Sequence, residues 1–180
     1  SETARIQLPG YGFRIVFSRG AGRAYVMGWK YDSVTGQMAY GLTCIDTGTN
    51  SVIKTIPLPS WGHLLAHPSQ ERVYFLKSSW YYYYGGLGPP AGEVWVINTK
   101  TSQVEAKLPV GVGADGLDVD PVRSLVVVAN PQDGTITLIQ DDDHTPPASP
   151  AGVTVGDVPG DEGTALAVSW AANTEGDLKE

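Results

Sequence analysis

The sequence predicts an all-β chain built from a repeated antiparallel meander. The first observation is the stretch Gly92–Gly111, in which two runs of alternating apolar residues, Glu93–Ile97 and Gln103–Leu108, flank a short polar break. Alternation at period two is typical of strands, and a break rich in Asn, Thr and Ser is typical of a hairpin turn. The second observation is that 22 glycines and 13 prolines punctuate the chain at short intervals, which favours many short strands.

The third observation is that this phrase recurs along the chain. It occurs earlier in Gly41–Pro59 and, in a shortened form, from Gly134 onward. The motif Ile45-Asp46-Thr47 precedes Ile97-Asn98-Thr99 by 52 residues, and Ile139 follows Ile97 after 42 residues. A four-stranded unit that repeats every 40–50 residues or so is the signature of a β-propeller blade.

The repeat divides most of the chain into three predicted blades, at about residues 11–59, 60–111 and 112–140. Residues 3–8 are similar to the last strand of such a unit, so we expect them to form an outer strand. In the third blade no fourth strand is recognisable. The alternative is three unrelated meanders in a sandwich, but the recurrence of four elements in one order favours blades.

Three blades fall short of the ring of at least about four that propellers usually need. One explanation is that the sequence is a fragment of a larger protein. Another is that the chain assembles with itself or with a partner, with Thr3–Leu8 supplying the missing outer strand beside Thr135–Gln140. An open stack of sheets is disfavoured because it leaves strand edges exposed.

Three phrases carry a resemblance to a known family. CIDTGTNSVIKTIPLP, VWVINTKTSQVEAKLPVG and RSLVVVANPQDGTITLI resemble YVTN-type propeller repeats, in which an I-D-T-like turn precedes a T-I-P-V-G-like strand. The resemblance covers roughly Thr3–Gln140. It implies a β-propeller with an incomplete ring in this chain, and a secreted or cell-surface location in bacteria or archaea.

The remaining residues predict a linker followed by a short C-terminal β segment. Residues 141–151 are charged and rich in proline, which is typical of a linker. Residues 152–180 resemble the opening of a fibronectin type III domain, with strands expected at Gly152–Val158 and Ala165–Trp170. Such a domain needs about seven strands and about 100 residues, so this segment is interpreted as truncated.

Composition excludes several classes of function. The net charge of -7 gives no basic footprint for nucleic acid or for an anionic membrane surface. No run of 18 apolar residues is present to insert into a bilayer. Cys44 is the one cysteine, which excludes an intrachain disulfide and a multi-cysteine metal site. Because no nucleophile, dinucleotide, phosphate-loop or zinc-protease motif occurs, we expect no cofactor and no metal.

Aromatic residues concentrate in two predicted loops that should lie side by side on one face of neighbouring blades. The loops are Trp29–Tyr40 and Ser78–Gly92, and Trp61 on the connection between the blades joins the same face. Exposed Tyr and Trp suit a protein partner or the faces of sugar rings, although they also suit mutual packing or a subunit contact. The predicted binding residues are Trp29, Tyr31, Tyr40, Trp61, Trp80, Tyr81, Tyr82, Tyr83 and Tyr84.

A polar group is predicted at the mouth of the central channel. Aligning the turns places Arg14, His63 and Gly116 at equivalent positions on the first strands, with Asp115 and Asp118 close by. Such a mixture suits the lining of a wet channel, a cation site or a catalytic site.

Three functions compete on these observations. The favoured one is a non-enzymatic extracellular or cell-surface scaffold that mediates protein–protein binding or self-assembly through its aromatic loops. The second is a hydrolase or lactonase-like enzyme with a divalent ion at the channel mouth, which rests on analogy with other propellers. The third is a carbohydrate-binding propeller that stacks sugars on the aromatic loops.

Overall fold

Strands and turns account for all the regular structure that we can describe. The computed structural model describes residues 4–18, 20–78, 91–141, 151–160 and 162–171. None of these segments contains a helix long and apolar enough to cross a membrane. The chain separates into two compact units, residues 1–141 and 142–180, which are described individually below.

Eleven strands occupy the described part of the first unit. They form, in chain order, β1 Tyr11–Ser18, β2 Arg23–Asp32, β3 Gln37–Asp46, β4 Ser51–Leu58, β5 Gly62–Ala66, β6 Arg72–Lys77, β7 Ala91–Asn98, β8 Gln103–Val112, β9 Gly116–Asp120, β10 Leu125–Asn130 and β11 Thr135–Gln140.

These strands pair in sequence order into three antiparallel sheets. Sheet 1 contains β1 to β4, sheet 2 contains β5 to β8 and sheet 3 contains β9 to β11. No sheet closes on itself within the described residues. The prediction of an all-β chain of repeated antiparallel meanders is confirmed in this form.

Both faces of sheet 2 are buried, because apolar side chains on its strands point to each face in turn. One core lies between sheets 1 and 2, where Tyr25 and Leu42 pack in a cluster with Phe75 and Ile97. A second core lies between sheets 2 and 3, and includes Tyr74, Val94, Val126 and Val128. Because side chains along a strand point alternately to opposite faces, every second residue of β6 and β7 serves one core and the residues between serve the other.

Buried polar side chains tie sheet 1 to sheet 2. The hydroxyl of Tyr25 on β2 donates to the carbonyl of Thr99, at 3.2 Å, and lies 3.0 Å from the hydroxyl of Ser102. Arg23 donates to the same Ser102 oxygen at 2.7 Å. Burial raises the pKa of Tyr25 to about 12, so the phenol stays protonated at neutral pH.

The same sequence pattern, Arg-x-Tyr, ties sheet 2 to sheet 3. Arg72 donates to Asp141 at 2.5 Å, and the hydroxyl of Tyr74 donates to the other carboxylate oxygen. Strand register makes the two ties equivalent, since Ala24 pairs with Ile45 as Val73 pairs with Ile97. At the corresponding position of sheet 3 Val126 pairs with Ile139, and the flanking residues are Leu125 and Val127 rather than Arg and Tyr.

Polar side chains fix the turns between strands. The carboxylates of Asp32, Asp46 and Asp120 each accept hydrogen bonds from the backbone N–H groups two and three residues ahead, and these bonds lower the pKa of each carboxyl. The side chain of Asn98 does the same. At the β5–β6 turn the ring nitrogen Nδ1 of His67 takes this role, and accepts from Ser69 at 3.1 Å and from Gln70 at 2.8 Å.

The predicted long loop Trp29–Tyr40 is wrong, because most of it is strand. β2 continues to Asp32 and β3 begins at Gln37, with Trp29 paired with Tyr40 across the ladder. Only residues 33–36 form the turn, which Gly36 closes at a φ of 69°. The composition did not reveal the strands, because polar and aromatic residues occur both in loops and in solvent-exposed hairpins.

The outer strand predicted at residues 3–8 is absent from the part of that segment that we can describe. Residues 4–8 pair with no strand. Instead, Ile6 and Leu8 pack against Ala24, Val26 and Ile45 on the face of sheet 1 that points away from sheet 2. The segment is therefore held by side-chain burial rather than by a backbone ladder.

The second unit contains one hairpin in its described residues. β12 (Thr154–Asp157) pairs antiparallel with β13 (Leu166–Ser169). Trp170, which directly follows β13, is 61% exposed. The resemblance to a fibronectin type III domain stays a prediction. Most of the predicted linker and the last nine residues lie outside the described residues.

Candidate functional site

A row of aromatic side chains crosses sheet 1 at the strand ends nearest the β2–β3 turn. Tyr11 on β1 pairs with Trp29 on β2, which pairs in turn with Tyr40 on β3. The rings of Tyr11 and Trp29 lie 4.9 Å apart between centroids, at an interplanar angle of 32°. Neighbouring antiparallel strands place directly opposed side chains on one face, so the sequence brings these rings together by register alone.

A second aromatic pair joins sheet 1 to the connection between sheets 1 and 2. Trp61, which precedes β5, stacks on Phe13 of β1 with centroids 4.0 Å apart and an angle of 10°. Trp61 remains 45% exposed. One face of this indole is therefore occupied by Phe13 while part of the side chain stays accessible to a ligand.

We call these residues, together with Tyr31 at the end of β2, the aromatic edge. Tyr11 and Tyr31 are 70% and 60% exposed, whereas Tyr40 packs partly against the core. Tyr11 and Phe13 were not among the predicted binding residues, although they lie at the start of β1, where Tyr11 pairs with Trp29. The members of the aromatic edge are Tyr11, Phe13, Trp29, Tyr31, Tyr40 and Trp61.

The predicted aromatic residues Trp80, Tyr81, Tyr82, Tyr83 and Tyr84 lie outside the described residues. Their contribution to the aromatic edge stays a prediction.

Three of the four residues predicted at the channel mouth come together, because His63 contacts both Arg14 and Asp115. The Nε2 atom of His63 lies 2.8 Å from Oδ1 of Asp115, and Nδ1 lies 3.5 Å from the guanidinium of Arg14. Ser78 donates its hydroxyl to the same Asp115 oxygen at 3.1 Å. We call Arg14, His63, Ser78 and Asp115 the histidine cluster. It links the first strands of all three sheets, because Arg14 lies on β1, His63 on β5, and Asp115 just before β9.

Both ring nitrogens of His63 have polar neighbours. A guanidinium can only donate, so Nδ1 can accept from Arg14 when the ring proton lies on Nε2 and faces Asp115. The Ser78 hydroxyl and the imidazole of His63 both contact Oδ1 of Asp115, so this carboxylate oxygen joins the two side chains.

Asp118, the fourth predicted residue, is not part of the histidine cluster. Leu117 and Val119 face the core between sheets 2 and 3, so the alternation of β9 turns Asp118 to the opposite face. Its carboxylate is exposed and accepts from the backbone N–H of Val119. Across the described ranges, no group of three or more His, Cys, Asp or Glu side chains is arranged to hold a metal ion.

Comparison with known proteins adds a likeness in fold. No family model matches the chain, and no curated protein does. Among solved structures, a chain titled hydrazine synthase from Kuenenia stuttgartiensis matches with a TM-score of 0.55 at 16% sequence identity. The match covers 76% of this chain and 42% of that chain. At this identity the likeness concerns the fold alone.

Proposed function

We propose that the three meanders are blades of a β-propeller that acts as a non-enzymatic binding scaffold, and that the aromatic edge receives a segment of a protein partner. The exposure of Tyr11, Tyr31 and Trp61 at one end of sheets 1 and 2 carries this proposal. Large aromatic side chains with polar tips bury much area at a low entropic cost, and they are enriched among the residues that dominate binding energy.

The histidine cluster supports the same surface. It lies at the starts of the first strands, at the same ends of the sheets as Tyr11 and Trp61. Arg14 is exposed, and His63 and Asp115 keep 29% and 32% of their side-chain surface. A guanidinium beside an exposed aromatic patch offers a partner segment an orienting hydrogen bond next to apolar contact.

The resemblance to YVTN-type repeats supports a location outside the cell or at its surface. The same resemblance indicates a fold and does not indicate one chemical activity. The enzymatic alternative therefore needs evidence from the site itself. Among the described residues, the histidine cluster positions an imidazole, and the serine beside it donates to Asp115. We therefore assign the cluster to binding.

The test selects peptides from a displayed random library on the full chain and measures the enriched peptides by calorimetry. We expect Trp61→Ala and Tyr31→Ala each to weaken binding by about tenfold or more, as hot-spot aromatic residues do. Val34→Ala is the matched control, since Val34 is 92% exposed in the β2–β3 turn but belongs to no aromatic pair. Its affinity should equal that of the native chain.

A glycan array probed in parallel separates the carbohydrate alternative. If no peptide is enriched and glycans bind the native chain but not Trp61→Ala, the aromatic edge is a carbohydrate-binding surface. Enriched peptides that bind all the variants equally would show that the aromatic edge is not the binding surface. Thermal melts of both alanine variants confirm that any loss does not come from unfolding.

A further inference from the structure

In the part of the first unit that the structure describes, exposed apolar side chains lie on the outward faces of sheets 1 and 3, beside residues 4–8 on sheet 1. On sheet 1, Ile15 and Phe17 are 52% and 58% exposed. On sheet 3, Ile136 and Leu138 are 65% and 58% exposed. Adjacent apolar side chains on a sheet face are the usual mark of an interaction surface.

The two faces are of opposite kinds. Sheet 1 uses the face bearing Tyr25 and Leu42 to pack on sheet 2, and sheet 2 uses its equivalent face, bearing Tyr74 and Val94, to pack on sheet 3. We call the face that points toward the next sheet in the chain the forward face, and the opposite face the backward face. Each internal interface therefore joins the forward face of one sheet to the backward face of the next. The outward face of sheet 3 is a forward face, and that of sheet 1 is a backward face, so they complement each other as the internal faces do.

Residues 4–8 lie on sheet 1 as a fourth strand of a preceding sheet would lie. Ile6 and Leu8 contact Ala24, Val26 and Ile45. In the same way Ile56 and Leu58 of β4 belong to the cluster that contains Val73, Phe75 and Ile97 of sheet 2. The sequences IQLP and IPLP that carry these contacts are similar, and each leads directly into the first strand of the next sheet.

β11 is the edge strand of sheet 3. Within the described residues, no strand pairs with the side of β11 that points away from β10. In sheets 1 and 2 a fourth strand occupies this side, paired antiparallel with the third. An exposed strand edge is a template for pairing with another chain.

A cleft on the backward face of sheet 1 shows where side chains of an added sheet would insert. Its volume is about 290 Å³, and Leu8, Val26 and Thr43 are among the residues that line it. Strand register makes Val26 and Thr43 equivalent to Phe75 and Trp95, which fill this space in sheet 2. The smaller side chains leave room that apolar residues from a forward face fit.

We propose that a second copy of this chain docks on these faces, with residues 4–8 of each copy added to β11 of the other. The two copies together form a ring of six sheets, within the four to eight or so that propellers contain. The two contacts are related by a twofold axis, so the assembly closes and does not polymerise. This inference rests on the proposed function only in taking the meanders as propeller blades.

The test measures the mass of the full chain in solution by light scattering at the highest soluble concentration. We expect twice the chain mass of 19.2 kDa. The double variant Ile136→Lys with Leu138→Lys should be monomeric, because it places charges on the forward face while altering side chains that are exposed in the single chain. Val122→Lys is the matched control, since Val122 is 91% exposed in the β9–β10 turn, and it should stay dimeric.

A mixing experiment tests which faces meet. Ile15→Lys with Phe17→Lys should also be monomeric. An equimolar mixture of the two double variants should recover a dimer, because one contact then joins two native faces. Far-ultraviolet circular dichroism establishes that each variant keeps its strands.

A native chain that stays monomeric at all concentrations overturns the proposal, as does a dimer that both double variants retain. A mixture that stays monomeric would overturn the pairing of forward and backward faces. Peptide binding at the aromatic edge is measured separately, and it should persist in the Ile136→Lys, Leu138→Lys variant. Failure of the dimer and failure of the proposed function are therefore distinguishable.

Discussion

Tyr74 donates its phenolic hydrogen to Asp141, the residue that directly follows β11, and so ties sheet 2 to sheet 3. Burial, reinforced by the neighbouring carboxylate, raises the pKa of Tyr74, so this hydrogen is retained at any physiological pH. The guanidinium of Arg72 lies 2.5 Å from the same carboxylate. All three side chains are buried, so the group is a fully desolvated tie rather than a surface ion pair.

Replacing Asp141 should be strongly destabilising. Asp141→Ala removes the buried carboxylate that accepts from both Arg72 and Tyr74, and breaking a buried charge pair by removing one member costs about 3–5 kcal/mol. Urea denaturation should show this loss in the free energy of unfolding. Glu71→Ala is the control, because its partner Lys100 is 66% exposed and such pairs contribute about 0–1 kcal/mol. Equal losses in the two variants would contradict the assignment.

The contribution of the equivalent tie at Tyr25 to stability should be measurable by removing a single oxygen atom. Tyr25→Phe removes the hydroxyl that donates to Thr99 and leaves that buried carbonyl without this bond, at a cost of about 1–3 kcal/mol. Tyr31→Phe, at a residue that is 60% exposed, should leave the unfolding midpoint unchanged. Thermal melts of the two variants make the comparison, and a melting temperature of Tyr25→Phe equal to that of the native chain would show that the tie contributes nothing.

His67 should make stability fall in mild acid. Burial holds its pKa below the ordinary value of about 6.5, so the unfolded chain binds the proton more tightly than the folded chain does. Stability from the neutral ring is present above pH 6.5 or so, and it is lost as pH falls from there toward the folded-state pKa. Protonation also removes the acceptor that holds the turn at Ser69 and Gln70.

The variant His67→Asn isolates this effect. An asparagine oxygen can accept the same two backbone hydrogen bonds, as Asn98 does after β7, but it does not titrate. Free energies of unfolding measured between about pH 7 and pH 5 should therefore decline less in His67→Asn than in the native chain. Parallel curves would remove His67 as the cause.

Gly62 should tolerate no side chain. A Cβ atom there would overlap the carbonyl oxygen of Leu76 on the paired strand and would meet the ring of Phe75 at 2.5 Å. Forcing an atom into packed backbone costs about 1–3 kcal/mol, so Gly62→Ala should lower the urea midpoint clearly. At Gly20 the nearest atom, on the flexible side chain of Glu71, lies 3.5 Å away, and Gly20→Ala should change stability by about 0.5 kcal/mol or less.

The strands were predictable because period-two alternation is a local signal. Glu93–Ile97 and Gln103–Leu108 lie within β7 and β8, and the repeat spacing transferred the same pattern to sheets 1 and 3. Strand ends were less predictable, since the hairpin around Trp29 and Tyr40 is held by a backbone ladder that leaves little trace in composition.

Contacts between sheets depend on residues far apart in the chain. Arg23 and Ser102 are separated by 79 residues, and no local sequence pattern predicts the hydrogen bond between them. The proximity of Arg14 and His63 was accessible only because the repeat allowed their turns to be aligned. Asp118 shows the limit of that approach, since proximity in sequence to Asp115 did not determine the face to which its side chain points.

The two Arg-x-Tyr ties also set the order in which the first unit opens. Sheet 2 is held on both sides, by Tyr25 to its β7–β8 turn and by Tyr74 to the residue after β11, whereas Leu125 and Val127 give sheet 3 no such attachment on its outer side. In the single chain, as in the monomeric Ile136→Lys, Leu138→Lys variant, amide hydrogens in β6 and β7 should therefore exchange with deuterium most slowly, and those of the edge strand β11 most rapidly. Heat or a pulling force would unravel this single chain from its outer sheets inward, with the middle sheet the last to melt.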